Sequence, residues 1–283
     1  MEKPQDIFML LGDPPLENLL AWLDWQIFMG ADEFHADKPL RRFQDAIPME
    51  KKFSREIVPT NVDNTKNDTL SIGDDIPLGS FAANEQAIKQ ATECKTLDDI
   101  IKALQNYEGC ELKNMALNLV FGDGVVKNPS LMVIGDAPDA IEDREGKVFA
   151  GPAGQLIKKA LAAADFFIDK NTYITNSLYW RRPGNRRVNL GEQKICLPFL
   201  LRQIALIDPE QIWVMGLGGT MGFFDSTIMK CRGQKNLSLK VMDKIIPVMV
   251  GHAPDYYWQN SIEKKSLWQD ILQLKKLSKM ASG

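Results

Sequence analysis

Four short apolar runs separated by helical stretches constrain the fold of this chain more than any other feature. The runs are LMVI (131–134), YIT (173–175), IWVM (212–215) and IIPVMV (245–250), each bounded by residues that break regular structure. Helical patterns lie between and after them, at residues 153–164, 190–207, 220–224 and 261–277. Such alternation indicates an α/β protein. We therefore predict a three-layer α/β/α fold around a central, mostly parallel four-stranded sheet.

The N-terminal part of the chain has a different character. Residues 16–28 (LENLLAWLDWQIF) carry apolar side chains at helical spacing, which predicts an amphipathic helix within a helical extension at residues 1–43. Residues 44–90 are polar and interrupted by prolines, so we predict a linker there, with disorder as the alternative. A helical pattern at residues 97–107 lies near the start of the domain that we assign to residues 91–283.

Composition excludes several classes of protein. The 283 residues are 45% hydrophobic and 25% charged, which excludes wholesale disorder. The net charge of −3 means that any contact with nucleic acid must come from a local basic patch. No apolar run approaches the ~20 residues of a membrane span, and the N-terminus lacks the pattern of a signal peptide. We therefore predict a cytoplasmic protein with no membrane partner, whose four cysteines are reduced thiols.

Polar side chains follow three of the predicted strands directly. Asp136, Asn176 and His252 each stand just past a strand end, where loops and helix N-termini converge in open α/β sheets. Each also has a structural alternative. In these alternatives, Asp136 only caps a helix or turn, and Asn176 is only a turn residue. His252 is then a core histidine that is hydrogen-bonded to a backbone carbonyl.

Two further segments are compatible with anion binding. Four arginines follow the YIT strand in a Pro/Gly loop, namely Arg181, Arg182, Arg186 and Arg187, and form either a phosphate-binding patch or a solvated face. The glycines at residues 216–222 suggest a dinucleotide loop only weakly, because Met221 stands where the third glycine of the motif belongs. Gly151 and Gly154 open a helix whose exposed amides are either an anion site or part of a tight loop.

Several separated motifs together resemble the family 4 type of the uracil-DNA glycosylase superfamily. These are GDAPDAIEDREGKVFAGPAGQLIKKAL, YITNSLYWRRPGNR, and GHAP with the downstream KKSLWQDIL, within a resemblance that covers residues 97–275. The stretch WLDWQIFMGADEFHADKPLRRF is also similar to a leader of some bacterial members, which implies a bacterial-type protein. The resemblance implies a monomeric DNA glycosylase that hydrolyses the bond between uracil and deoxyribose, acts on DNA containing uracil and starts base excision repair. It requires no nucleotide cofactor.

The resemblance also implies roles for individual residues. Asp136 and His252 are the implied catalytic residues, with His252 facing uracil O2. Ala137, Phe149 and Asn176 are the implied base-binding residues, with Phe149 stacked on the flipped base and Asn176 bonded to its pairing edge. The implied DNA contacts are Pro138, Gly151, Gly154, Arg181, Arg182, Arg186, Arg187 and Tyr256.

This sequence departs from the family pattern in three ways. In the last motif, the family has His-Pro, a small residue and leucines, whereas this chain has HAPDYYW at residues 252–258. Many family 4 members hold an iron-sulfur cluster with four cysteines, whose positions correspond here to Tyr107, Cys110, Trp180 and Cys196. Because two thiols replace four, we expect no cluster and no other metal. The family also usually has Glu at position 136 and Gly at position 139, where this chain has aspartates. These departures leave a second hypothesis open, a catalytically weak relative that binds DNA without excising a base.

Overall fold

The computed structural model describes residues 85–186, 190–224, 226–234 and 237–281. The predicted extension and almost all of the predicted linker lie outside these residues. The helices are α1 (Glu85–Glu93), α2 (Leu97–Asn106), α3 (Leu112–Met115), α4 (Ala140–Glu145), α5 (Pro152–Ala162), α6 (Leu190–Ile207), α7 (Leu217–Phe224), α8 (Ile228–Cys231), α9 (Pro254–Gln259) and α10 (Lys264–Ala281). The strands are β1 (Gly122–Gly124), β2 (Leu131–Gly135), β3 (Thr172–Asn176), β4 (Ile212–Met215), β5 (Ser238–Val241) and β6 (Lys244–Gly251).

The sheet confirms the predicted fold class and has more strands than predicted. Its order is β1-β3-β2-β4-β6-β5, and the four predicted strands form its parallel centre. Two antiparallel edge strands, β1 and β5, extend the predicted four strands to six. The short sequences GDG and SLKV of these edges carry no long apolar run, so the sequence pattern did not indicate them.

Helices cover both faces of the sheet because side chains alternate along the strands. Val133 of β2 packs in one cluster with Leu156 of α5 and Ile271 of α10. Its neighbours Met132 and Ile134 pack in a second cluster, which also contains residues of α6 and α7 such as Ile204 and Phe223. The predicted three-layer arrangement is therefore present.

A third cluster joins α1 and α2 to α6. Its buried members include Ala87, Ile100, Leu104 and Phe199. Because α1 begins at Glu85, residues 85–90 belong to this folded part and not to the linker in which we had placed them. Among the described residues, no helix is long and apolar enough to cross a membrane.

Candidate active site

A pocket opens where the parallel strands β2 and β3 end. It brings together most of the residues predicted to act on substrate: Asp136, Ala137, Phe149, Gly151, Gly154, Asn176 and Arg182. The register explains this convergence, because Gly135 at the end of β2 pairs with Asn176 at the end of β3. The pocket is also lined by three carboxylates that our site prediction did not include, those of Asp139, Glu142 and Asp255.

Asp136 is held by the N-terminus of α7. Its Oδ1 accepts a hydrogen bond of 2.6 Å from the Gly218 amide. A Cβ on Gly216, whose φ is +100°, would lie 2.5 Å from Asp136 Cγ, so a glycine is needed beside this carboxylate. Burial raises the pKa of Asp136 to about 6, although the Gly218 amide and the nearby Arg182 guanidinium act in the opposite direction. The carboxyl therefore titrates just below neutral pH.

The glycines at residues 216–222 thus have a structural explanation. The first amides of α7 face the Asp136 carboxylate, and the Leu217 and Gly219 amides also lower its pKa. A Cβ on Gly219 would lie only 2.7 Å from Val214 Cγ1, so this position packs against the sheet because it has no side chain. Close approach to a carboxylate and to the sheet accounts for this glycine-rich sequence without a bound dinucleotide.

Glu142 organises the wall of the pocket. It is buried, and its Oε2 accepts a 2.7 Å hydrogen bond from the Asp139 amide, while its Oε1 accepts one from the Phe149 amide. Asp139 in turn caps α4 through the Ile141 and Glu142 amides, which completes a capping box. Burial raises the pKa of Glu142 to about 7, against the amides that stabilise its charge.

Phe149 lies on this wall in a conformation that is unusual for a residue other than glycine. Its φ is +55°, and its side chain is 3% exposed. A Cβ on Gly154 would lie 2.6 Å from the Phe149 carbonyl carbon, and one on Gly135 would lie 2.9 Å from the Phe149 ring. Strained backbone between two glycines at a pocket is typical of a functional position.

Asn176 places an amide at the end of β3. It is 2% exposed, and a side chain on Gly135 would collide with its Oδ1. Its Nδ2 is buried and has no hydrogen-bond partner of good geometry among the described residues, although the amide is near enough to Glu142 to lower the pKa of that carboxyl. A buried donor of this kind is costly unless a ligand completes it.

His252 follows β6 at the rim and does not itself line the pocket. The next residues, Ala253 and Pro254, do line it. The His252 amide donates to Tyr257 Oη at 3.1 Å, and Tyr257 Oη donates to Asp270 at 2.7 Å. Burial lowers the pKa of His252, and the Arg232 charge acts in the same direction. The imidazole is therefore neutral at pH 7.

Some of the residues predicted to contact DNA are buried beside the pocket, and the others are the arginines of the loop after β3 and Tyr256 of α9. Pro138, Gly151 and Gly154 are buried, and for Gly151 and Gly154 the structure indicates a packing reason: a Cβ on Gly151 would collide with the Asp139 carboxylate. Arg182 enters the pocket, whereas Arg186 is exposed and pairs with Glu192. Arg181 Nε donates to Asn185 Oδ1 at 3.0 Å. The centroid of the Tyr256 ring lies 4.3 Å from that of His252. Arg187 lies outside the described residues.

The four positions that correspond to cluster ligands are neighbours in the third hydrophobic cluster. Cys110 and Cys196 share a hydrogen bond, which lowers the pKa of Cys110, and both thiols are buried. Tyr107 and Trp180 are buried in the same cluster, and the Tyr107 ring lies 5.6 Å from that of Phe199. These residues offer two thiolates and two aromatic rings, which does not fit a cluster with four thiolate ligands. That the protein carries no iron stays a prediction.

Comparison with known proteins identifies the family of this chain. The family model described as the uracil DNA glycosylase superfamily matches residues 121–272. A type-4 uracil-DNA glycosylase of Sulfurisphaera tokodaii is 31% identical over 189 residues, which are 65% of this chain and 85% of that protein. One of Pyrobaculum aerophilum is 36% identical over 121 residues, 43% of this chain and 61% of that protein. One of Thermotoga maritima is 30% identical over 145 residues, 50% of this chain and 74% of that protein.

The family model covers more than half of the chain and includes the whole pocket. Its bounds run from just before β1 into α10, so the match includes all six strands. The bacterial origin and cytoplasmic location stay predictions. The chain belongs to the uracil DNA glycosylase superfamily.

Proposed function

We propose that this protein is a uracil-DNA glycosylase that flips uracil out of DNA and hydrolyses its N-glycosidic bond. The observation that carries the proposal is the pairing of Asn176 with Phe149 in one pocket at the strand ends. Phe149 offers an aromatic ring for stacking, and the buried Asn176 Nδ2 offers an uncommitted donor beside it. A flipped uracil, with a flat ring and carbonyl acceptors on its edge, suits both features.

The charges at the site suit the bond cleavage. When the bond from C1′ to N1 breaks, its electron pair leaves with uracil and positive charge develops on the sugar, to which water then adds. Asp136 is largely ionised at neutral pH, so its carboxylate stabilises that sugar or orients the water. His252, neutral at the same pH, is proposed to donate a hydrogen bond to uracil O2. One such donor is worth about 3 to 4 kcal/mol by analogy with oxyanion holes.

Hydrolysis of this bond needs no electron transfer, so the proposal includes no nucleotide cofactor. The substrate is DNA containing uracil, and Arg182 at the pocket is the arginine best placed to contact a phosphate near the flipped nucleotide. A monomer suffices, because the described residues of one chain line the pocket.

The test is release of uracil from a labelled oligonucleotide with one deoxyuridine, followed by alkaline strand cleavage at the abasic site. We expect Asn176→Ala and His252→Ala each to lower the cleavage rate at least 100-fold. The matched controls are Asn106→Ala, on the exposed end of α2, and His35→Ala, the other histidine, which we expect to leave the rate unchanged. Wild-type rates in both site variants would contradict the proposed roles.

The second hypothesis, binding without excision, is favoured by the extra acidic charge at the pocket. Asp139 and Asp255 both line it, where their charge opposes entry of a flipped nucleotide with its phosphates. Arg181 and Arg186 lie outside the pocket lining and remain to hold the DNA backbone. This hypothesis predicts salt-sensitive binding to DNA with no uracil release from the folded wild-type protein. The same oligonucleotide assay, together with a binding titration, distinguishes the two.

A further inference from the structure

A second and larger cavity shares no lining residue with the pocket and lies at the C-terminal end of α7. It is an apolar groove of about 310 Å³ between α1, α6, α7 and the edge strand β5. Its lining residues are Ala91, Thr92, Pro198, Leu201, Arg202, Ala205, Phe223, Phe224 and residues 238–242. We call this cavity the β5 groove. The proposed function uses none of these residues.

The β5 groove has the features of a docking surface. Among the described residues, β5 pairs only with β6, so its outer edge has no neighbouring strand. An unpaired strand edge is commonly covered by a helix or loop, and the apolar groove beside this edge offers a surface for one. Met242, at the turn from β5 to β6, is 68% exposed. Two cations, Arg202 and Lys240, stand in an otherwise mostly apolar lining.

We propose that residues 16–28 of the same chain form an amphipathic helix that docks in the β5 groove. On a helix, Leu16, Leu20, Leu23 and Ile27 fall on one face, at the spacing of a buried stripe. Glu17 and Asp24 fall together along one flank of that stripe, and the segment contains no lysine or arginine. An apolar stripe with an acidic flank matches an apolar groove that holds two cations.

The path of the chain makes this docking feasible. Residue 84 directly precedes α1, whose last turn contributes Ala91 and Thr92 to the groove. Residues 29–84 connect the docking segment to α1, and a random coil of that number of residues has a root-mean-square span of about 40 Å. Because it is tethered, the segment has a local concentration at the groove far above the concentration of other copies of the protein in dilute solution. The occupant we propose is therefore this chain's own segment.

Cross-linking in the full chain tests the proposal. Gln26→Cys and Met242→Cys are introduced together and treated with a short bis-maleimide, because Gln26 lies beside the apolar stripe and away from its acidic flank, and the four native cysteines are buried. The control pair is Gln26→Cys with Leu117→Cys, since Leu117 is 76% exposed and does not line the groove. We expect at least tenfold more intrachain product from the groove pair. Equal yields from the two pairs would overturn the proposal.

Further substitutions in the groove-pair background test the chemistry of docking. Leu20→Asp places a charge in the apolar stripe and is expected to reduce the product to the control level. Ile57→Asp, an equal change outside the segment, is expected to leave it unchanged. Lys240→Glu is expected to lower the yield and Asp24→Lys to restore it in the double variant. No effect of Leu20→Asp, or product that joins two chains, would overturn docking within one chain.

Discussion

Because the Asp136 carboxyl is withdrawn from water, we predict that it lowers the free energy of unfolding by an amount that depends on pH. Its pKa is raised from 3.8 to about 6, chiefly by burial. A shift of about 2 units corresponds to roughly 3 kcal/mol of differential interaction. Between these two pKa values the folded protein binds more protons at this site than the unfolded chain, so the free energy of unfolding falls as pH rises through the window. Above about pH 7 the carboxyl is ionised in both states, and the loss of unfolding free energy has reached its full value.

Asp136→Asn removes this titration while keeping the size of the side chain. We expect the free energy of unfolding of the variant, relative to wild type, to rise by about 2.5 kcal/mol between pH 4 and pH 8, because at pH 4 the unfolded carboxyl is already partly ionised. The change with pH is the informative quantity, because a lost hydrogen bond to the Gly218 amide shifts both ends of the series equally. Urea denaturation across the pH series measures it, and the oligonucleotide assay should show that the same variant loses excision.

The control is Asp243→Asn, which removes an exposed carboxyl in the turn between β5 and β6. It shows how far the loss of one surface charge by itself alters the pH series, and that part is subtracted. A flat difference for Asp136→Asn, or one that falls from pH 4 to pH 8, would refute the conclusion that burial dominates at this carboxyl. A retained rate of uracil excision would separately refute its catalytic role.

Further predictions concern the supports of the site and the cluster positions. Gly216→Ala should cost about 1 to 2 kcal/mol in the free energy of unfolding and at least tenfold in excision rate, since its Cβ would collide with Asp136. Asp270→Asn should destabilise the protein by about 3 kcal/mol, because it breaks the half-buried pair with Arg232 and the bond from Tyr257; Asp208→Asn, in an exposed pair, should cost under about 1 kcal/mol. Purified protein should show no absorbance near 400 nm, and stoichiometric iron would contradict the cluster prediction.

The sequence predicted the centre of the fold better than its edges. Parallel strands covered on both faces are continuous apolar runs, so β2, β3, β4 and β6 were recognisable. The edge strands were not, because a three-residue strand that reads GDG takes its pairing from its neighbour β3 and not from its own residues. The helix α1 was placed partly in the linker, since only Ala87 and Ala91 of its nine residues are buried apolar positions.

The site was predictable where it follows strand ends and not where it depends on packing. Asp136 and Asn176 stand at strand exits, and the register of β2 and β3 brings them to one pocket. Glu142 was missed, although the spacing from Asp139 is that of a capping box. That spacing indicates a helix start, but it does not reveal that the same carboxylate also binds the Phe149 amide. Such a contact depends on the path of the intervening loop.

The glycines around the pocket show why a glycine-rich loop is an ambiguous signal. Gly135 and Gly154 leave space for Phe149, and Gly216 leaves space for Asp136. In each case the close approach is made by a group of the protein itself, whereas a dinucleotide fingerprint uses glycines to admit a pyrophosphate. Both needs select the same residue type at the same place, just past a strand end. What separates them is whether a carboxylate already faces the helix N-terminus, as Asp136 does here through the Gly218 amide.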